Sequence, residues 1–376
     1  MPGLNPTVDP DGLLEYSVVF TDRSLNHMSK AFQGVMRDIS ASLKQVYNAQ
    51  SVALVPGGGT YAMESVARQF AGDQHCLIVR NGLFSFRWTQ ILDAAKIANG
   101  QTVLKARPVS DEPKAPWAPA PLDEIVASIE KHKPGVVFAP HVETSAGIML
   151  PEEYIHAIGD ATRAVDGIFV LDCVASGTVW VDMQTCGVDV LISAPQKGWS
   201  STPCAGIVML NERARERAEE KQSSSFSCDL NAWLRIMDAY ENGGHAYHAT
   251  MPTDGLRTFR DTIREIEAFG LENAEKSQNE LGARVRELLG ERGFSSIAAR
   301  GFEAPGVVVS YTEDDGIRTG KKFAEAGLQI AAGVPLKCDE PEDFKTFRMG
   351  LFGLDKLQNV DRTVETVKKA LDRIGV

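Results

Sequence analysis

The chain has no long run of basic residues, and its formal charge at neutral pH is -11. That balance argues against nucleic acid or an anionic membrane as the main partner. No stretch approaches the roughly 20 consecutive apolar residues that cross a bilayer. The opening MPGLNPTVDPDG lacks the basic-then-apolar order of a secretory leader. Six cysteines, at 76, 173, 186, 204, 228 and 338, include no CxxC pair. Most lie in or beside apolar runs, where cysteine behaves as a small hydrophobe, so a reduced cytoplasm is expected and no metal site is called for. There is no internal repeat and no basic helical appendage. What remains is a 376-residue chain, 43% hydrophobic, which predicts a soluble protein of two domains acting on small molecules.

From residue 51 onward, short apolar runs at 51–55, 76–79, 102–105, 136–139, 168–171, 188–192 and 206–210 alternate with helical patterns at 60–70, 84–95, 122–131 and 152–165. Such alternation predicts an α/β fold with a mostly parallel sheet between helices, its ligand lying beyond the carboxyl ends of the strands. The proline-rich 107–121 segment falls inside this series and reads as a surface loop. After Thr253, the residues Leu256, Phe259, Ile263, Ile266 and Phe269 recur at helical spacing, which predicts one long connecting helix to about residue 289. Strand-like runs at 307–311 and 347–352, with helical patterns at 317–326 and 360–374, predict a smaller α+β domain. The expected organisation is therefore an amino-terminal segment 1–28, a large domain 29–255, and a connecting helix with a small domain 256–376.

Four polar features fall just past predicted strand ends. Val55-Pro-Gly-Gly-Gly-Thr-Tyr-Ala-Met-Glu64 is a glycine-rich turn opening a helix, a place where free N–H groups hold phosphate. Gly57, Gly59 and Ala62 also satisfy a dinucleotide-binding pattern, but the next strand ends Val79-Arg80-Asn81 without the acid that pattern needs. Ile168-Phe-Val-Leu-Asp172 ends an apolar strand in a carboxylate, and Lys197 follows the next apolar strand. Alone, Asp172 reads as a helix cap or cation ligand. Together the two suit pyridoxal phosphate chemistry: a lysine forms the Schiff base, and a carboxylate under the pyridine nitrogen keeps it protonated as an electron sink. The fourth feature, Pro140-His-Val-Glu-Thr-Ser-Ala-Gly147, is either a polar part of the site or an ordinary turn.

The chain resembles the class V, fold-type I pyridoxal-phosphate aminotransferases, and among them the alanine/serine–glyoxylate aminotransferase group. The likeness rests on ordered motifs from Gly58-Gly59-Thr60 and Asn81-Gly82-Leu83-Phe84, through His141 to Gly147, Asp172 to Ser176 and Ser193-Ala-Pro-Gln-Lys197, to Tyr247-His-Ala-Thr250 and Phe347-Arg-Met-Gly-Leu-Phe-Gly353. The resemblance implies pyridoxal 5'-phosphate as cofactor, bound through Lys197. It implies that Gly58, Gly59, Thr60 and Gln196 hold the phosphate, with Phe84 and Val174 on the two ring faces. Thr144 is implied at the phenolic oxygen and Asp172 at the ring nitrogen. A homodimer is implied as well, in which Tyr247 and Thr250 complete the phosphate site of the partner. Arg348 is implied as the binder of the substrate α-carboxylate; Arg23 or Arg87 would take that role only if Arg348 does not. The expected reaction is transamination between a small amino acid, alanine- or serine-like, and glyoxylate or pyruvate.

Two departures bear on the substrate. The family's Pro-Gly-Pro-like opening is replaced by Leu14-Glu-Tyr-Ser-Val-Val-Phe-Thr-Asp-Arg23, and the segment after the lysine carries Trp199, which either reshapes the site or packs. A cysteine desulfurase or lyase of the same fold is the main alternative, with Cys338 as its candidate nucleophile. A nicotinamide-dependent oxidoreductase and a non-enzymatic pyridoxal-phosphate-binding regulator are more distant ones.

Overall fold

The structure, a computed structural model, describes residues 13–376; the first 12 residues of the expected amino-terminal segment lie outside the described residues. The helix Lys30–Tyr47 precedes the alternation read from the sequence. Ser29 caps it by accepting from the Phe32 N–H at 3.1 Å. Phe32, Val35, Met36, Ile39, Leu43 and Tyr47 form its buried stripe at helical spacing.

The main sheet has seven strands. In spatial order they are Ser51–Pro56, Ala205–Leu210, Val190–Ser193, Ile168–Asp172, Val136–Pro140, His75–Arg80 and Gly100–Lys105. Ala205–Leu210 runs antiparallel to both neighbours, while the remaining neighbours pair in parallel. The inner strands Val136–Pro140 and Ile168–Asp172 are buried at every position. This is why they read as continuous apolar runs: helices cover both faces of a parallel sheet. The mixed α/β fold with a mostly parallel sheet is the one the sequence predicts.

A three-stranded antiparallel sheet follows, ordered Val307–Tyr311, Thr346–Gly350, Ala331–Ala332. Three expectations change. The single connecting helix is two, Thr253–Phe269 and Leu271–Glu291, broken at Gly270 with φ +96°. The helical pattern at 317–326 is likewise two short pieces, Asp315–Arg318 and Lys321–Glu325, with Gly320 between them. The proline-rich segment is more than a surface loop: Arg107–Pro108 pairs with Trp117–Ala118, and Trp117 is buried, its indole N–H donating to the Tyr311 hydroxyl at 3.1 Å. That aromatic pins the loop to the carboxyl-terminal sheet.

Candidate active site

Because Ser51–Pro56 shares its direction with the central parallel strands, the carboxyl ends of five strands that carry the motifs meet at one edge of the sheet. Pro56 leads into the glycine turn, and Gly58 caps the helix Gly59–Phe70 with extended backbone. The first N–H groups of that helix point out of its amino terminus without intrahelical partners. Strand pairing sets Asp172 opposite Pro140 on one side and Ile192 on the other. The strand Val190–Ser193 then turns through Ala194, Pro195 and Gln196 to Lys197. At Gly198 a Cβ would lie 1.8 Å from the Gly177 carbonyl oxygen, so only glycine lets this turn close.

Gly59, Thr60, Phe84, Thr144, Asp172, Val174, Gln196 and Lys197 all line one solvent-open cleft of about 660 Å³. Met63, Val142 and Ala175, which the sequence reading did not single out, complete the wall, as does Arg87, which it held only as a substitute for Arg348. A helix-face arginine and a buried methionine carry no local signal that separates them from surface and core residues. Phe352 is a further addition, its ring centroid 5.2 Å from the Lys197 Nζ.

The electrostatics of the cleft oppose an amine and a carboxylate. Burial pushes the Asp172 carboxyl up to about 6; the Val174 N–H, donating at 3.0 Å, pulls the other way, Glu143 adds to the rise, and Arg87 and Lys197 oppose it. The Lys197 amine is held below its ordinary value by burial first and the Arg348 charge second, with Asp172 opposing. Arg348 comes from the strand Thr346–Gly350 of the second sheet. Its Nε donates to the Ala332 carbonyl at 2.8 Å and its guanidinium carbon lies 5.7 Å from the Phe84 centroid.

Glu143 organises the wall that carries Phe84. Fully buried, its carboxylate accepts from the Phe84 N–H at 3.1 Å, the Ser85 N–H at 2.9 Å and the Ser145 N–H at 3.0 Å. The hydroxyls of Ser85 and Ser145 donate to it at 2.6 and 2.7 Å. A carboxylate is thereby fixed at the amino terminus of the helix Leu83–Ala95, where the helix dipole favours it.

Other singled-out residues lie elsewhere. His141 is buried, paired with the Ser176 hydroxyl at 2.7 Å, and burial lowers its value to about 4, so it is neutral and structural. Trp199 packs against Trp180 with centroids 4.8 Å apart and does not line the cleft. Tyr247 and Thr250 bond to each other at 3.2 Å on an exposed loop and are not part of this cleft. Among the described residues, Arg23 pairs with its neighbour Asp22 at 3.9 Å and does not line the cleft. The Cys338 thiol is buried and donates to the Arg80 carbonyl at 3.4 Å. Burial, with Glu143 and Glu340 adding, pushes it up to about 12, which favours the protonated thiol, and Cys338 does not line the cleft. The desulfurase alternative loses its cysteine.

Pyridoxal phosphate fits this set of groups. An amine with a lowered value, a buried carboxylate, an aromatic face and a helix amino terminus share one cleft of small-molecule size. Gln196 lines the same cleft, where its side-chain NH2 can donate to a phosphate.

A family model described as aminotransferase class-V matches residues 13–341. The chain is 24% identical over 361 residues to the alanine–glyoxylate aminotransferase of Rattus norvegicus, covering 93% of this chain and 82% of that one. It is 26% identical to the 2-aminoethylphosphonate–pyruvate transaminase of Syntrophobacter fumaroxidans over 92% of this chain and 90% of that one. The solved structure of an alanine–glyoxylate aminotransferase from Nostoc sp. matches with a TM-score of 0.77 at 23% identity, covering 93% of this chain and 89% of that chain.

Proposed function

The chain belongs to the class-V aminotransferase family, whose members depend on pyridoxal phosphate, and on that premise we propose that it moves an amino group between a small α-amino acid and glyoxylate or pyruvate. The observation that carries the reading is the meeting of Lys197, Asp172 and the Gly59–Thr60 helix start in one cleft.

When bound, the cofactor supplies a carbonyl that condenses with amines and a protonated ring that accepts electrons from the substrate Cα. Gly58, Gly59, Thr60 and Gln196 would hold its phosphate through N–H, hydroxyl and amide donors. Phe84 and Val174 would offer apolar surface to its ring, and Thr144 a hydroxyl donor to its phenolic oxygen. Asp172 would hold a proton on the ring nitrogen, a charge-assisted bond that a buried carboxylate would make strong. Lys197 anchors the cofactor through its amine. With substrate in the cleft, the Lys197 Nζ would act as the base and acid that carries the proton of the substrate Cα. Its lowered value favours the neutral amine that both tasks require. Arg348 orients the substrate carboxylate with a planar, two-pronged donor set.

The active form proposed is a homodimer in which Tyr247 and Thr250 reach the partner's phosphate site. Exposed apolar side chains support an interface: Leu14, Tyr16, Val18, Phe226 and Tyr247 are all open to solvent in one chain. The division into 1–28, 29–255 and 256–376 is retained as the proposed domain organisation, with the second sheet supplying Arg348. A cytoplasmic location is proposed from the six free, buried cysteines. No helix among the described residues is long and apolar enough to cross a membrane.

Purified protein should absorb visible light, and borohydride should fix the cofactor to the Lys197 peptide alone. A screen of amino donors against glyoxylate, pyruvate and 2-oxoglutarate should give transfer to one of the first two. Label on another lysine removes Lys197 from its role, and transfer only to 2-oxoglutarate removes the acceptor assignment.

A further inference from the structure

Arg87 is placed in the cleft without a task in the reaction above. It lies one helical turn from Phe84, in the i,i+3 relation that puts both side chains on one face of the helix Leu83–Ala95. Two contacts hold its guanidinium. Its carbon lies 5.2 Å from the Phe84 ring centroid, and Nη1 donates to the Thr60 hydroxyl oxygen at 2.9 Å. Arginine has donors only, so this bond uses Thr60 as an acceptor and leaves the Thr60 O–H free to turn elsewhere as a donor. Arg87 makes no ion pair with a carboxylate among the described residues, and most of its five N–H donors are not used by the contact to Thr60. Lys197 in the cleft and Arg348, which stands near Phe84 outside its lining, have the amine and carboxylate roles, which leaves a doubly charged phosphate monoester only neutral donors and the partial charge of one helix terminus.

Building on the pyridoxal-phosphate reading, we propose that Arg87 is the cationic anchor of the cofactor phosphate, binding it alongside Thr60 and aiming the Thr60 hydroxyl at it. Arg87 thereby sets the selectivity of this protein for the phosphorylated cofactor over its unphosphorylated form.

The test measures binding of pyridoxal phosphate and of pyridoxal to full-length protein stripped of cofactor, by absorbance and by quenching of intrinsic fluorescence. Arg87→Gln should weaken pyridoxal phosphate binding about 10- to 100-fold, the range of a lost hydrogen bond to a charged group, and leave pyridoxal binding unchanged. Unchanged pyridoxal binding also shows that the variant is folded. Arg87→Lys, which keeps the charge and loses the fork, should fall between the two for the phosphorylated form only. Equal losses for both ligands, or wild-type affinity for pyridoxal phosphate, overturn the assignment. If Arg87→Gln binds neither ligand, Arg87→Lys decides by the same comparison. A wild-type protein that binds no pyridoxal phosphate would instead defeat the cofactor reading, which keeps the two failures distinct.

Discussion

Asp172 and His141 stand at the ends of paired strands, the His141 N–H donating to the Asp172 carbonyl at 2.9 Å, but their side chains titrate in opposite senses, and their burial makes pH a probe of the site. In cofactor-free protein the Asp172 carboxyl is raised from 3.8 to about 6, so the folded state keeps a proton that the unfolded chain has already released. Stability from this group is complete below about pH 4 and is lost as pH rises through about 6, a change of roughly 3 kcal/mol. His141, lowered from 6.5 to about 4, works the other way, its contribution being present above its unfolded value and lost as pH falls. Asp172→Asn isolates the first effect. Its urea midpoint relative to wild type should rise between about pH 4 and pH 7, and a constant difference would show that Asp172 does not titrate there. Asp172→Ala should also slow the half-reaction by orders of magnitude while leaving the protein folded. At the substrate end, Arg348→Lys should raise the Michaelis constant of the best amino donor while the visible spectrum of the bound cofactor stays the same. An unchanged constant would move carboxylate binding to another group.

The helix Leu83–Ala95 shows how an element is set by a residue far from it in sequence. Its first N–H groups end on Glu143 and Ser145, contributed by the turn after Val136–Pro140. Glu143→Ala would leave the Phe84 and Ser85 N–H groups buried without an acceptor, at about 1–3 kcal/mol each, so a loss of roughly 3 kcal/mol or more in chemical denaturation is expected. Because the same N–H carries Phe84, cofactor affinity should fall with stability; a variant as stable as wild type would mean that solvent replaces the carboxylate. Gly198 illustrates the opposite dependence, on bare backbone. With the Gly177 carbonyl oxygen 1.8 Å from any added Cβ, Gly198→Ala must move the backbone next to Lys197, and reduced labelling of Lys197 by borohydride should accompany its destabilisation.

In the whole molecule, the cleft is lined from the main sheet, Phe352 and Arg348 approach it from the second, and on the proposed reading it draws on two chains. Tyr247 and Thr250 lie on an exposed loop outside their own chain's cleft, an arrangement suited to donation across a dimer. Mixing Lys197→Ala protein with protein carrying Tyr247→Phe and Thr250→Ala distinguishes this from a loop acting within its own subunit. With each parent inactive and subunit exchange verified, mixed dimers should regain activity at one intact site. No recovery would remove the shared-site proposal.

The strand–helix alternation and the pairing of Asp172 with Lys197 were readable because both are local signals: fully buried parallel strands appear as apolar runs, and polar groups at their ends break the pattern. Glu143, quoted only as part of a motif, gave no sign that its partners lie 58 and 59 residues away. The reversal of Ala205–Leu210, the docking of Trp117 on Tyr311 and the seating of Arg87 against Thr60 likewise depend on contacts between distant segments. Periodicity reports which face of an element is buried, but not which element covers it. The sequence pattern therefore carries the elements and the chemical types at their ends, whereas packing decides which of those groups share a cleft, which thiol or histidine is shut away, and which arginine turns inward.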